Sequence, residues 1–357
     1  MRILCMVEAL GSGGAERQLS GLSSMLKAEG HDVRVITYFP KFFYKDVLDN
    51  SGVEFEYLPA AQSKYKRIPL LAKTIKSYAP EVVIAYSPSA AGIACLFKKC
   101  GFRYKLIVSE RNTTQTISKR EKVKFFLYRW ADFIVSNSNM QAHFIEKNYP
   151  HLLSKTIVIT NYVDTDYFCP CELRIVSDNV CKIICVGRDH PQKNIIRFIE
   201  AINILIKRGL HLRVDWYGSF ESSYGELCKS RIKELELEQH FNLKGETKQI
   251  RDEYRKHDVF CLPSIYEGFP NVLCEAMSCG LPVICSDVCD NVLIVKDTVN
   301  GLLFNPHSIE DITMKIEHFM KLAEIEKEKM RLANRKYAVE MFSKKTFLAK
   351  YNSLIEA

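Results

Sequence analysis

Two glutamates eight positions apart, Glu267 and Glu275, lie in the stretch Ser264-Ile-Tyr-Glu-Gly-Phe-Pro-Asn-Val-Leu-Cys-Glu-Ala-Met-Ser-Cys-Gly-Leu-Pro-Val283. The apolar run Val259–Leu262 before it has the length and composition of a buried strand, which Pro263 stops. Gly268 and Pro270 predict a tight loop, and Asn271 an N-cap for a helix to about Cys279, ended by Gly280 and Pro282. Glu267 then sits on a loop at the carboxyl end of a strand, and Glu275 about one turn into the next helix. In an open parallel sheet, ligands bind there. The helix start favours a phosphate. Carboxylates beside an anion site are suited to accept hydrogen bonds from hydroxyls, of the kind a sugar or a ribose carries.

A second loop supplies the complementary charge. Lys182–Val186 is a predicted strand, followed by Gly187-Arg-Asp-His-Pro-Gln-Lys-Asn194 and a helix to about Lys207. Arg188 and Lys193 project from this loop, and two fixed cations suit a diphosphate, neutralising a leaving group without a metal. Near the amino end, Ile3–Val7 is a strand that runs into Gly11-Ser-Gly-Gly14 and a helix with Leu19, Leu22 and Leu26 on one face. These glycines allow close backbone approach to a phosphate. The dinucleotide fingerprint is broken, because its third glycine position is Glu16. Glu110-Arg111-Asn112 follows the strand Lys105–Ser109 and also stands on the ligand side, where a locally capped loop is an equal explanation.

The elements that position these groups alternate. Further strands are expected at 33–37, 53–58, 81–86, 131–136, 156–159, 212–217, 241–245, 282–286 and 300–304, with helices between them and a charged helical tail from Ile309. A helix is expected over 69–79, closed by Pro80. Pro170 to Asp178 has the composition of a linker. The alternation predicts an α/β protein with two doubly wound domains.

Glu-Gly-Phe-Pro-Asn with Glu-Ala-Met resembles the Glu-x7-Glu motif of family 4 glycosyltransferases, which are retaining and have the GT-B fold. Gly187–Lys193 resembles the family's Gly-Arg-x4-Lys motif, Gly13-Gly-Ala-Glu-Arg17 its amino-terminal loop, and Asn161-x-Val-Asp-x-x-x-Phe168 its domain junction. The resemblance implies two facing Rossmann-like domains with an interdomain cleft: an acceptor-binding domain over 1–165, a nucleotide-sugar domain over 166–335, and a helix over 336–357 that crosses back. It implies a catalytic role for Glu267. It implies donor contacts from Gly13, Gly14, Arg188, Lys193, Gly245 (beside the nucleobase), Glu267, Gly268, Phe269, Pro270, Asn271, Val272 and Glu275, the last on the ribose. On the acceptor side it implies Glu16, Arg17, Arg111 and Asn112. The histidine that many members have near Glu110–Asn112 is missing, since none lies between His31 and His143. No cofactor is implied, and donor binding is expected to be metal-independent. Asp164-x-Asp166 belongs to the junction segment, and Cys169-Pro-Cys171 and Cys285-x3-Cys289 do not make a zinc pattern.

Composition sets the bounds. A chain of 357 residues with 47% hydrophobic and 26% charged residues suits about two globular domains. No apolar run approaches the roughly 20 residues that span a bilayer, and the amino end looks like a strand rather than a signal peptide. Thirteen cysteines, many within apolar runs, fit free thiols in a cytoplasmic protein. Residues 1–160 carry 23 Lys+Arg against 13 Asp+Glu, whereas residues 161–357 carry 27 against 29. A basic first half suggests an anionic partner, for which a membrane surface, a lipid-linked diphosphate, nucleic acid or plain solvation are the options. Ser118–Trp130 is most basic, with Lys119, Arg120, Lys122, Lys124 and Arg129 beside Val123, Phe126, Leu127 and Trp130 at helical spacing. That apolar face is expected to pack inward, with lysines left to meet lipid headgroups. The reading adopted is transfer of a UDP-N-acetylhexosamine or UDP- or GDP-hexose sugar to a polyprenyl-diphosphate-linked glycan at the inner membrane face, with no nucleic acid partner. A nucleotide-sugar 2-epimerase, a nicotinamide oxidoreductase and a non-catalytic nucleic-acid or membrane-binding module are the rivals.

Overall fold

The computed structural model describes residues 1–111, 114, 116–171 and 180–357. The chain forms two compact units, one of Met1–Tyr162 with Lys345–Ala357, the other of Val163–Lys344. In the first unit the strands are β1 (Arg2–Met6), β2 (Asp32–Thr37), β3 (Glu54–Tyr57), β4 (Val82–Ala85), β5 (Lys105–Glu110), β6 (Phe133–Ser136) and β7 (Thr156–Val158). They pair in the order β3-β2-β1-β4-β5-β6-β7, parallel throughout. In the second they are β8 (Cys181–Val186), β9 (Leu212–Tyr217), β10 (Phe241–Lys244), β11 (Val259–Leu262), β12 (Val283–Ser286) and β13 (Gly301–Phe304), in the order β10-β9-β8-β11-β12-β13, also parallel.

Both sheets are buried on both faces, as a parallel sheet covered by crossover helices requires. Along β1, Ile3 and Cys5 enter one core and Leu4 and Met6 the other. Along β11, Val259 and Cys261 enter one core and Phe260 and Leu262 the other. The strand order reverses between β1 and β4 in the first unit and between β8 and β11 in the second. The reversal in the second unit places the loop after β8, with Arg188 and Lys193, next to the loop after β11, with Glu267. A ligand crevice belongs at such a switch point.

The unit boundaries fall at 162/163 and 344/345, rather than at 165/166 and 335/336. The helix Glu324–Phe342 runs past residue 336 into the second core, where Ala338 and Phe342 pack with Val163, Phe168 and Phe269. Val163 N–H donates to Phe342 O at 2.8 Å, and Lys344 pairs with Asp164 at 2.5 Å. Only the helix Lys344–Glu356 joins the first core, through Phe347, Tyr351, Leu354 and Ile355. The helix expected over 69–79 spans Lys64–Tyr78 and holds Pro69 inside it. Buried Leu71, Thr74, Ile75 and Tyr78 on its inner face keep it continuous past the proline.

Candidate active site

At the second unit's switch point, Lys193 Nζ donates to Glu267 Oε1 at 2.6 Å, with the two side chains 14% and 10% exposed. The sequence assigned these residues to different parts of a ligand, and the fold makes them partners. Glycine sterics help. A Cβ on Gly187 would press on the Lys193 side chain at 3.1–3.4 Å, and one on Gly218 would meet Gly187 O at 2.2 Å. Gly187 thus leaves room for the lysine stem, and Gly218 lets the loops after β8 and β9 touch. Arg188, on the same loop, is exposed.

The Glu267 loop is tied to its neighbours on both sides. Gln192 O accepts from Ile265 N–H at 2.8 Å, and Gln192 Nε2 donates to Tyr266 O at 2.7 Å. Asn194, buried and in the left-handed region at φ 60°, donates to Pro263 O at 3.0 Å and to Pro306 O at 2.8 Å. On the β12 side, Glu267 N–H donates to Cys289 Sγ at 3.5 Å. Gln192, Asn194 and Cys289 carried no sequence signal as site residues; their positions on loops flanking a carboxylate were the only hint.

The helix after this loop is Asn271–Ser278, so Asn271 is its first residue and the cap position falls to Pro270, which has no side-chain cap. Proline's fixed φ suits this entry, and Pro270 O accepts from Leu273 and Cys274 N–H at 3.0 and 3.2 Å. Glu275 is buried on the helix with Leu273, Cys274, Ala276 and Met277. Gly268 and Val272 are half-buried, and Phe269 is buried with its ring edge-on to Phe342 at 5.6 Å. Gly245 is exposed, directly beyond β10, with nothing within 4 Å of an added Cβ.

Deeper in the second unit, Asp215 on β9 accepts from Asn242 (2.8 Å), His257 (3.2 Å) and Arg213 (3.2 Å). Burial alone would raise its carboxyl pKa, but the hydrogen bonds from His257, Arg213 and Asn242 outweigh it and bring it down to about 2. This cluster joins β9, β10 and the segment before β11.

In the first unit, Gly13 caps the helix Gly14–Ala28 at φ −74°, so the glycine loop does not need a left-handed backbone there. It needs space: a Cβ on Gly13 would lie 2.4 Å from Glu16 Oε2, because Glu16 folds back over the helix start. Glu16 and Arg17 are half-buried. Inside the same helix, Gln18 and Tyr162 exchange hydrogen bonds at 2.9 Å in both directions, and an added Cβ on Gly21 would fall 1.7 Å from Tyr162 Oη.

Arg111 is held within its own unit. Its guanidinium donates to Ser109 Oγ (2.7 Å), Asn161 Oδ1 (2.7 Å), Tyr86 Oη (2.7 Å) and Tyr351 Oη (2.6 Å), and it lies 4.5 Å from the Tyr86 ring centre. This fastens the helix Lys344–Glu356 to β4 and β5. Asn112 lies outside the described residues. The preceding Glu110 is buried, accepting from Lys124 Nζ at 2.7 Å and Tyr128 Oη at 2.5 Å.

Comparison with known proteins agrees with this architecture. A family model described as Glycosyltransferase Family 4 matches residues 12–167, and one described as Glycosyl transferases group 1 matches residues 176–339. A Campylobacter jejuni α-1,4-N-acetyl-D-galactosaminyltransferase, whose named acceptor is a glycan on diphospho-undecaprenol, is 25% identical over 85% of this chain and 84% of its own. The amylovoran biosynthesis glycosyltransferase AmsD of Erwinia amylovora is 24% identical over 91% of this chain and 92% of its own. Among solved structures, Anabaena Alr3699/HepE in complex with UDP superposes with a TM-score of 0.88 at 20% identity, with full coverage of both chains. A Rickettsia africae glycosyltransferase gives 0.88 at 22% identity, over 99% of this chain and 97% of its own. Both units carry the doubly wound sheet of the GT-B fold, the two family models cover most of the sequence between them, and the chain belongs to the family 4 glycosyltransferases.

Proposed function

We propose that this glycosyltransferase moves a sugar, with retention, from a UDP-N-acetylhexosamine or a UDP- or GDP-hexose to a glycan carried on a polyprenyl diphosphate at the inner face of the cytoplasmic membrane. The observation that carries the donor assignment is the Lys193–Glu267 pair at the switch point of the second sheet. Lys193 and Arg188 take the diphosphate, assisted by the helix start at Asn271 and Val272. Glu275 accepts from the ribose hydroxyls, and the backbone beyond β10 at Gly245 meets the base. Glu267, with the loop Gly268-Phe269-Pro270, accepts from the sugar hydroxyls. As the bond to the diphosphate breaks, positive charge grows at the anomeric carbon, and the Glu267 carboxylate stabilises it. The leaving phosphate oxygen takes the acceptor's proton. Lys193 neutralises the charge on that phosphate, so donor binding proceeds without a metal.

The first unit supplies the acceptor side, with Glu16 and Arg17 at its glycine loop and Arg111 and Asn112 beyond β5, while Gly13 and Gly14 of the same loop bring their backbone to the donor. Support for a lipid-linked acceptor comes from the relatives: the Campylobacter jejuni enzyme above, and an Escherichia coli α-1,3-galactosyltransferase, 27% identical over 54% of this chain, whose name specifies UDP-Gal and GlcNAc-diphosphoundecaprenol. The test is a thermal-shift panel of UDP, GDP, ADP, NAD and nucleotide-sugars with EDTA present. A shift with one nucleoside diphosphate and its sugars is expected. A shift with NAD alone would refute the donor assignment, and a shift that EDTA abolishes would refute metal independence.

A further inference from the structure

The helix Lys119–Leu127 meets the sequence expectation only in part, since Leu127 and, just beyond it, Trp130 pack half-buried against the first core while Val123 and Phe126 do not. Its inward face is made by Lys124, Phe125 and Tyr128: Phe125 and Tyr128 are fully buried, and Lys124 pairs with buried Glu110 at 2.7 Å and with Glu121 at 2.6 Å. A residue advances about 100° around a helix, so Val123, Phe126 and Lys119 fall on the opposite side. Val123 is 60% and Phe126 47% exposed, and Ile117 just before the helix is 45% exposed. Val123 and Phe126, half of the apolar strip that was expected to pack inward, therefore face solvent. The Glu110–Lys124 pair and the two buried rings set the rotation.

Cations surround the strip. Lys119, Arg120, Lys122 and Arg129 are all exposed, and the Arg129 guanidinium lies 4.0 Å from the Phe126 ring centre. Trp130, half-buried against the core, backs the strip, with its ring 5.5 Å from Phe126 and Lys99 Nζ 4.8 Å from its own centre. Glu121 is the one acid in the sequence between Arg111 and Ala131, and it is paired with Lys124. An exposed apolar strip rimmed by cations, with its one acid, Glu121, drawn inward to Lys124, is the arrangement that an interfacial helix presents to anionic lipid. No helix among the described residues is long and apolar enough to cross a membrane.

We propose that this face docks the protein on an anionic phospholipid surface, with Val123 and Phe126 entering the headgroup layer and Lys119, Arg120, Lys122 and Arg129 meeting lipid phosphates. The assignment rests on the lipid-linked acceptor for its purpose, but its test needs neither donor nor acceptor. Full-length protein is sedimented with vesicles of phosphatidylglycerol or of phosphatidylcholine at about 0.1 M salt, where surface charge is only partly screened. Binding to phosphatidylglycerol is expected to exceed binding to phosphatidylcholine at least tenfold and to fall at high salt. Val123→Glu with Phe126→Glu, and separately Lys119→Glu with Lys122→Glu, are each expected to cut it tenfold or more without lowering the melting temperature, since all four side chains are exposed. Equal binding to both vesicles, or unchanged binding by both double variants, overturns the proposal. So does a wild-type protein that binds a single-stranded oligonucleotide through these residues and leaves the vesicles free. The thermal-shift panel of nucleoside diphosphates is run in parallel: vesicle binding that persists where no nucleoside diphosphate shifts the melting temperature upholds the docking face and refutes only the donor reading.

Discussion

Lys193 and Glu267 stand 74 residues apart in the chain and 2.6 Å apart in the fold, on the two loops that flank the sheet's switch point. The cation proposed for the diphosphate and the carboxylate proposed for the sugar thus hold each other in place before any ligand arrives. Both are mostly withdrawn from water, so removing one strands the other. Lys193→Ala and Glu267→Ala should each lower the melting temperature, by a free energy of up to about 3 kcal/mol. The double variant Lys193→Met with Glu267→Gln should be more stable than either single one. A double-mutant cycle read by thermal unfolding checks this coupling.

The same pair separates binding from turnover. Glu267→Gln is expected to lower kcat about a hundredfold or more, because its charge is needed chiefly as the anomeric carbon becomes positive. Its affinity for the bare nucleoside diphosphate should change only a few-fold. Lys193→Ala is expected to weaken that affinity about tenfold or more. Calorimetric titration beside initial rates reads both, and normal turnover in Glu267→Gln would refute the sugar-site assignment.

Arg111 and Tyr351 make a further prediction. Arg111→Ala leaves Ser109, Asn161, Tyr86 and Tyr351 without their shared donor and should destabilise the protein by about 2–3 kcal/mol, as loss of hydrogen bonds to a charged group does. Tyr351→Phe, which removes one of those bonds and the bond between the Tyr351 and Tyr86 hydroxyls at 2.9 Å, should cost about 1–2 kcal/mol. Limited proteolysis should then cut more readily near Lys344–Glu356.

The Asp215 cluster sets an acid limit. Its carboxyl pKa, brought down to about 2 by His257, Arg213 and Asn242, lies below the ordinary value of about 3.9. The cluster therefore stabilises the fold fully above pH ~4, and that stability fades as pH falls toward 2. The difference amounts to about 2 kcal/mol. Asp215→Asn should lower the melting temperature at pH 7 and flatten its fall between pH 4 and 2.

Gly21 tests packing in the first unit. An added methyl would lie 1.7 Å from Tyr162 Oη, so Gly21→Ala forces the ring or the helix to move and should cost about 1–3 kcal/mol. Adding Tyr162→Phe removes the nearest atom and should recover part of the loss.

The strand-and-loop segments proposed for the donor were largely legible in the sequence because their signals are local. A strand, a proline or glycine stop and a charged loop lie within about ten residues of each other at both 182–194 and 259–275. What was not legible depends on partners remote in sequence. The rotation of the helix Lys119–Leu127 is decided by Glu110 on β5, and the apolar spacing of Val123, Phe126, Leu127 and Trp130 is the same whether the strip points in or out. Arg111 was legible only as a residue following a strand on the ligand side; its structural task of fastening Tyr351, 240 residues later, was not. Asn271 had the better side chain for a cap, but Pro270 precedes it and takes the position.

The helix Lys344–Glu356 has a consequence for the order in which the protein forms during synthesis. Residues Val163–Lys344 are one continuous stretch, so the second unit has everything it needs once that stretch has left the ribosome. The first unit begins emerging earlier but must wait, because Phe347, Tyr351, Leu354 and Ile355 line the same core as Ile3, Cys5 and Leu19. Until they arrive, one face of the first sheet stays partly uncovered. The half translated first is the half completed last, and a released chain truncated after Lys344 should pair a protease-resistant second unit with a protease-sensitive first one.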